Sequence, residues 1–569
     1  MLSNSKKYKQ NVNRTFCPSR YDAVMACHYL ITDIVASLDI TEATLRQTTA
    51  TLLKVPESAI KNLKIARQAV DARHKRAIHF LLNLEVQLEA ALPLPLPKHV
   101  NILTQSQFTA QPPPSLLPSS REKRQERIII VGAGPAGLFS ALTLAEAGFS
   151  ITLLERGKPV ETRMRDIGQL RAHGQLNPES NTCFGEGGAG TYTDGKLYTR
   201  IKHPFVRWVM HELVKLGAPE QILVDAHPHL GTDKLVSLLK NLRARLLAAG
   251  VDYRFETRVD KIMLAHNRIQ GVVLGNGEEL TATRVILATG HSARAIYEHL
   301  ADLGVPLEAK PFAVGVRAEH PQALINTAQH GAFAAHPRLG AAEYRLAHQA
   351  LADPTAQGTA QGMRGVYSFC MCPGGLIVPS STEPKGMVIN GMSNAKRSAR
   401  YANSGLVAQV YPHDLVAYGN DALRGLRFQR ELEQRAYAMT QIPYHAPAMR
   451  LTDFLKGKSS STLAPTEFRP GAEAADLCQL FPAWLTHSLR EGITAFSRKL
   501  RGYDSSEANL FAVESRTSAP LSIPRDQQLQ CIGIRGLYPA GEGAGQAGGI
   551  VSAAVDGLKI AEVIIQECT

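Results

Sequence analysis

The segment that most restricts what this 569-residue chain can fold into begins at Arg127. Arg127-Ile-Ile-Ile-Val131 is a short apolar run of the kind buried on both faces in a parallel sheet, and Gly132-Ala-Gly134-Pro135-Ala136-Gly137 follows it without a break. In a strand–turn–helix unit each glycine has its own task. Gly132 permits the tight turn, Gly134 lets backbone approach a pyrophosphate, and Gly137 lets helix and strand pack closely. The helix, expected to run to about Ala147, offers its N-terminal N–H groups and the positive end of its dipole to the phosphates. A second strand, Ser150-Ile-Thr-Leu-Leu154, ends at Glu155, where a carboxylate accepts hydrogen bonds from the hydroxyls of an adenosine ribose. Ile128 to Ala145 is also nearly long enough to span a bilayer, but its glycines and proline break any continuous helix. The unit reads as a dinucleotide site, and alone it does not choose between a nicotinamide and a flavin dinucleotide.

Two distant segments do choose. Val285-Ile-Leu-Ala288-Thr289-Gly290 is a buried strand ending in a small-residue turn. Leu537-Tyr-Pro-Ala540-Gly541-Glu542-Gly543-Ala-Gly545 is another strand ending in a carboxylate, leading through Gly548-Gly549 into a helical run, Ile550–Ile564. With them the chain resembles the large family of FAD enzymes built on the glutathione-reductase-type fold. That resemblance implies that the Ala-Thr-Gly strand closes the FAD domain and that Glu542 supplies a carboxylate to the ribityl chain, with Glu where Asp is commoner. It also implies that the last helix points its N-terminus at the flavin N1/O2 edge, favouring the reduced anion. The expected architecture is α/β: a Rossmann-like FAD-binding domain over 127–303 plus 531–569, with an inserted α+β substrate domain over 304–530.

A narrower resemblance rests on Asn181-Thr-Cys-Phe-Gly-Glu-Gly-Gly-Ala-Gly-Thr-Tyr-Thr-Asp-Gly-Lys196, Gly290-His-Ser-Ala-Arg294 and Lys310-Pro-Phe-Ala-Val-Gly-Val-Arg317. Tyr367-Ser-Phe-Cys-Met-Cys-Pro-Gly-Gly375, Asn390-Gly-Met-Ser393 and Ala540–Gly545 extend it. These are similar to the bacterial family described only as uncharacterised FAD-dependent dehydrogenases, over nearly all of the chain after Tyr29. The resemblance implies a flavin and a redox reaction and supplies no substrate. By it, Glu155-Arg156-Gly157 and Arg163 surround the adenosine and pyrophosphate, where a planar guanidinium pairs with phosphate oxygens. Gly185–Gly190, with Gly188, Ala189 and Gly190, passes against the flavin ring where a Cβ would collide; a plain mobile loop is the alternative. Val259, Ala288, Thr289, Gly290, Gly541, Glu542, Gly548, Gly549 and Ile550 complete the expected cofactor-binding set.

Three residues are candidates for chemistry. Lys196 would contact flavin N5 or a substrate anion, with a surface lysine an equal alternative. His291 follows the Ala-Thr-Gly turn, although a structural imidazole is favoured there. Arg294 would hold a substrate carboxylate or only cap a helix. Cys370 and Cys372 could be a redox pair or half of a metal site, but two buried small side chains in a strand is the favoured account, and no metal is expected. No second G-x-G-x-x-G follows a strand, so NAD(P)H is expected at most as a transient visitor.

Ahead of this region, Leu30–Val35, Thr41–Lys54, Ile60–Val70 and Ile78–Leu88 read as a small βαββ-like domain over 29–92, its helix capped by Thr41 and its last two strands joined by a charged turn, Asp71–Arg76. Pro93 to Ser120 is proline-rich and is expected to act as a linker over 93–126. Residues 1–28 fit no element, so Met1–Val24 is expected to be a disordered tail or a mis-assigned start. Eight scattered cysteines and a polar N-terminus without an apolar leader point to a reducing cytoplasm. The net charge of +13 is read as a solvated surface rather than a nucleic-acid site. The leading expectation is an oxidoreductase passing a hydride between a small organic substrate and flavin N5. An RNA-modifying flavoprotein is one alternative; a redox sensor whose N-terminal domain docks a protein partner is the other.

Overall fold

The computed structural model describes residues 27–103, 126–192, 194–351 and 363–568. The expected tail or mis-assigned start and most of the expected linker lie outside the described residues. The chain divides into two compact units, one within residues 1–71 and 79–109, the other within 72–78 and 110–569.

The first unit is a four-stranded antiparallel sheet in the order Ile60–Asp71, His79–Leu88, His28–Ala36, Val100–Ile102, with a helix over Glu42–Leu53. His79–Leu88 alternates buried and half-buried residues, so Phe80, Leu82, Leu84 and Val86 all enter the core. The Thr41 hydroxyl accepts from the Thr44 amide while the Thr44 hydroxyl accepts from the Thr41 amide, closing the helix start from both sides. The strand Val100–Ile102 corrects the linker expectation. A proline-free triplet suffices for an edge strand because only one side must be hydrogen-bonded, and the stretch from Pro93 therefore returns to the sheet.

The second unit is mixed α/β. Its five-stranded sheet is parallel throughout, in the order Leu537–Pro539, Arg284–Leu287, Arg127–Val131, Ser150–Leu154, Asp252–Arg254. The unbroken apolar run at its centre has a direct cause: Ile128 and Ile130 enter one hydrophobic core, while Ile129 and Val131 enter another on the opposite face. Helices Pro135–Glu146 and Ile550–Glu567 lie in the first core, and Gly557 lets them touch, since a Cβ there would sit 2.2 Å from the Ala136 carbonyl oxygen. The antiparallel strands Val259–Ala265, Arg268–Leu274 and Glu279–Thr281 contribute to the second. What appeared in sequence as a near-membrane stretch is strand, turn and helix, and among the described residues no helix is long and apolar enough to cross a membrane.

A seven-stranded sheet runs in the order Ala347–Leu351, Met363–Cys372, Tyr401–Val410, Phe312–Pro321, Asn509–Glu514, Ala446–Arg450, Ala472–Ala474, all neighbours antiparallel except the last pair. The chain leaves the parallel sheet after Leu287 and returns to it at Leu537. These two crossings meet: the Arg516 guanidinium donates to Ser292 Oγ at 3.1 Å.

Candidate functional site

A cavity of about 720 Å³ opens at the carboxyl ends of the parallel strands. Its wall begins with Gly132, Gly134, Pro135 and Ala136, then takes in Glu155, Arg156 and the Gly188-Ala189-Gly190 turn. Val259, Ala288, Thr289 and Gly290 form the next side. Gly541, Glu542, Gly548, Gly549 and Ile550 close it, with Lys196 and His291 further along. Gly137, Gly157, Arg163, Gly185 and Arg294, all proposed from sequence for this site, lie outside the lining.

The glycines separate by what surrounds them. A Cβ at Gly134, Gly290 or Gly548 would meet nothing within 4 Å, so bare backbone faces open cavity there. At Gly137 a Cβ would lie 2.0 Å from the Gly132 carbonyl oxygen, and at Gly132, with φ +104°, it would lie 2.4 Å from that of Ala288. Gly137 therefore serves helix packing and not the ligand. A groove of bare backbone at a helix start, with Pro135 in the first turn where its missing N–H costs nothing, suits a pyrophosphate. A second helix start, at Gly549-Ile550, opens on the same cavity. Two such starts joined by glycine-lined wall fit an elongated dinucleotide such as FAD.

Glu155 is buried, and its carboxylate accepts the amides of Ala133, Gly157 and Gly185, each at 2.9 Å. It ties together the turn, the end of the second strand and the glycine-rich loop. That leaves about one of a carboxylate's four acceptor directions for a ribose. Arg156 lies over the Phe184 ring at 3.9 Å and pairs with Glu179 at 2.8 Å. The expectation for Arg163 is corrected. This arginine has no exposed surface, and its guanidinium donates to the carbonyls of Asn181, Thr182, Gly185 and Glu186. It shapes the loop from behind, because a fork of five donors can satisfy the carbonyls of a chain that makes neither helix nor sheet.

Lys196 meets the cavity with its ammonium 2.6 Å from the buried Asp194 carboxylate. Burial alone would raise the Asp194 carboxyl, but Lys196, Arg397 and other neighbours outweigh it and hold it at about 2. Ser393 donates to the same carboxylate. The lysine side chain is one-third exposed, but its ammonium nitrogen is buried and keeps donors to spare. Near it the wall contains Cys370 and Cys372; Cys372 is buried in the strand as expected, whereas the expectation of a buried Cys370 is corrected. Cys370 is exposed and adopts φ +43°, where Met363–Cys372 loses register with Tyr401–Val410. Burial among protein atoms still raises its thiol to about 11, with Lys196 opposing.

His291 lines the cavity as a neutral ring: burial, with Arg516 and Arg294 nearby, lowers it to about 4. Arg516 donates to Ser292 Oγ, which shares a hydrogen bond of 2.8 Å with His291 Nδ1 and so fixes the plane of the ring. Arg294 is not available to a substrate. Its guanidinium is buried between Glu383 and Glu433, both at 2.7 Å, and Arg516 grips Glu433 from the other side. Burial would raise the Glu433 carboxyl, but the two arginines hold it at about 2. Glu542 is in the opposite position: burial pushes it to about 7, with only Lys310 opposing. Asp194, Ser292 and Arg516 were absent from the residues proposed from sequence. Asp194 and Ser292 lie inside the quoted motifs, whereas nothing in the sequence around Arg516 marks it.

Comparison with known proteins agrees with this geometry. Residues 127–229 match the family model for FAD dependent oxidoreductases, and 311–517 match that for the C-terminal domain-like part of FAD-dependent proteins. Residues 30–87 match a domain of unknown function. An uncharacterised protein of Clostridium beijerinckii is 39% identical over 539 residues, 94% of this chain and 98% of that one. A digeranylgeranylglycerophospholipid reductase of Methanospirillum hungatei is 24% identical over 199 residues, 32% of this chain and 43% of that one. A probable electron transfer flavoprotein-quinone oxidoreductase of Escherichia coli is 27% identical over 178 residues, 30% and 37%. Among solved structures, CtdE in complex with FAD is 9% identical over 78% of this chain and 84% of its own, with a TM-score of 0.28, too low to carry an argument. FAD is the cofactor, and the chain belongs to the family of uncharacterised FAD-dependent oxidoreductases that includes the clostridial protein.

Proposed function

We propose that this oxidoreductase is a dehydrogenase that passes a hydride between a small organic anion and flavin N5. One observation carries the reading: beyond the glycine-lined groove, the same cavity continues to Lys196, whose ammonium faces the buried Asp194 carboxylate with donors left over. Lys196 binds the anionic group, Asp194 fixes the lysine, and the neutral His291 ring orients the reacting end by a hydrogen bond. Bound FAD supplies a two-electron acceptor. Gly134 and the first amides of Pro135–Glu146 hold the pyrophosphate, Glu155 one ribose, Glu542 the ribityl chain, and Gly548–Ile550 the ring edge. In this reading the fold is of the glutathione-reductase type, with 304–530 as the substrate-facing part, a cytoplasmic location, and NAD(P)H as no more than a passing donor.

The test is anaerobic mixing of the yellow holoenzyme with NADH, NADPH and a panel of small 2-hydroxy and 2-amino acids, following flavin absorbance. Bleaching by a panel member, lost in Lys196→Met, supports the reading. Bleaching by a nicotinamide alone overturns it in favour of a nicotinamide-fed reductase.

A further inference from the structure

We propose that Cys370 and Cys372 are a second redox centre, cycling between a dithiol and a disulfide and exchanging two electrons with the flavin of the same cavity. The inference rests on FAD occupying this cavity and adds a function to that wall.

Three of the chain's eight cysteines, Cys183, Cys370 and Cys372, line this one cavity. Cys370 sits at φ +43°, a left-handed conformation that glycine adopts freely and an L side chain adopts only at a cost. Glycine is plentiful around it, at Gly365, Gly374 and Gly375, yet a cysteine occupies the strained position and is exposed. Strained non-glycine residues of this kind persist where the surroundings hold a side chain in a working place. Cys372 is held beside it. Its Sγ lies 3.2 Å from the carbonyl oxygen of Cys370, and Arg317 donates to that oxygen at 2.6 Å while standing 3.4 Å from the sulfur. Arg317 has no exposed surface and is itself fixed by Asn403 and Glu514, so the clamp is rigid. Burial raises both thiols above their ordinary value, and the ammonium of Lys196 and the guanidinium of Arg317 oppose that rise without reversing it. Nothing in the proposed hydride transfer uses either sulfur, and among the described residues no cluster is arranged to hold a metal.

The step balances. Two thiols lose two protons and two electrons as one S–S bond forms, and one oxidised flavin takes up both electrons with the protons. The reverse opens the disulfide.

The experiment is anaerobic dithionite titration of the full-length oxidised holoenzyme, beside Cys370→Ser and Cys372→Ser. Wild type is expected to take up two electron pairs per FAD and each variant one. In parallel, the never-reduced wild type is unfolded in maleimide and mapped, with residues 370 and 372 expected to label only after a disulfide reductant is added. This arm needs no variant, so it decides the matter even if a serine variant loses its flavin. A wild type that takes up one pair and labels at both cysteines while oxidised overturns the proposal. A disulfide that persists once the flavin is fully reduced overturns the exchange. Whether FAD lies in the cavity at all is read separately, from FAD retention by Gly134→Ala.

Discussion

Replacing Gly134 and Gly137 in turn separates two jobs that one sequence motif combines. Gly134 precedes the helix at φ −78° and ψ 179°, which alanine adopts without strain, and a Cβ there meets nothing within 4 Å. Alanine is a poorer helix cap than glycine by up to about 1 kcal/mol, but it also narrows the unfolded ensemble by about 0.4–1 kcal/mol. Gly134→Ala should therefore fold with nearly wild-type stability. Its methyl group nevertheless enters the groove where the pyrophosphate must approach. Losing one charge-assisted hydrogen bond there, at about 1.5–3 kcal/mol, weakens FAD binding roughly 10- to 100-fold. Gly137→Ala reverses the pattern. Its Cβ would lie 2.0 Å from a backbone oxygen that cannot rotate away, so strand and helix must separate, at about 1–3 kcal/mol or more. The assay is thermal unfolding of each apo-protein together with fluorescence titration by FAD. If Gly134→Ala binds FAD as wild type does, the pyrophosphate does not lie at this turn. If Gly137→Ala leaves the apo-protein as stable as before, the packing argument is wrong.

Three further outcomes are expected. Glu542 ionises at about 7 when folded against 4.5 in its ordinary state, so its burial costs nothing below about pH 4.5, and the cost grows as pH rises to about 7. Apo Glu542→Gln should match wild type near pH 4.5 and be the more stable above pH 7, as measured by the thermal midpoint against pH. Arg163→Met leaves four loop carbonyls without their donor and should destabilise the apo-protein by about 3–5 kcal/mol, with FAD loss as a consequence. A stable apo-protein that loses FAD alone would return Arg163 to direct contact with the cofactor. Glu433 is held at about 2, so the stability it contributes is fully present above pH 4.5 and is lost as pH falls toward 2. Glu433→Gln leaves two buried guanidinium groups short of a charge and should cost about 3–5 kcal/mol in urea unfolding at neutral pH, a deficit that closes in acid.

The parallel-sheet core was legible from Arg127–Val131 onward because a strand buried on both faces must be apolar at every position, and the glycines after it are demanded by local backbone geometry. Thr41 was legible as a cap for the same reason: both its partners lie within three residues. The edge strand Val100–Ile102 was not, since three residues carry no period and only the neighbouring His28–Ala36 makes them a strand.

At the site the division follows the range of the interaction. Local chemistry determined the turn at Gly132–Gly137, the carboxylate at Glu155 and the segments that converge on the cavity. Tertiary structure decided what long side chains do. An arginine reaches far enough that its partner can come from any element, so Arg163 turned inward to its loop and Arg294 to Glu383 and Glu433, while Arg516, unmarked in sequence, reached Ser292 across 224 positions. It also decided Cys370 and Cys372, because alternation along a strand predicts their faces only while register holds, and register breaks between Phe369 and Cys372.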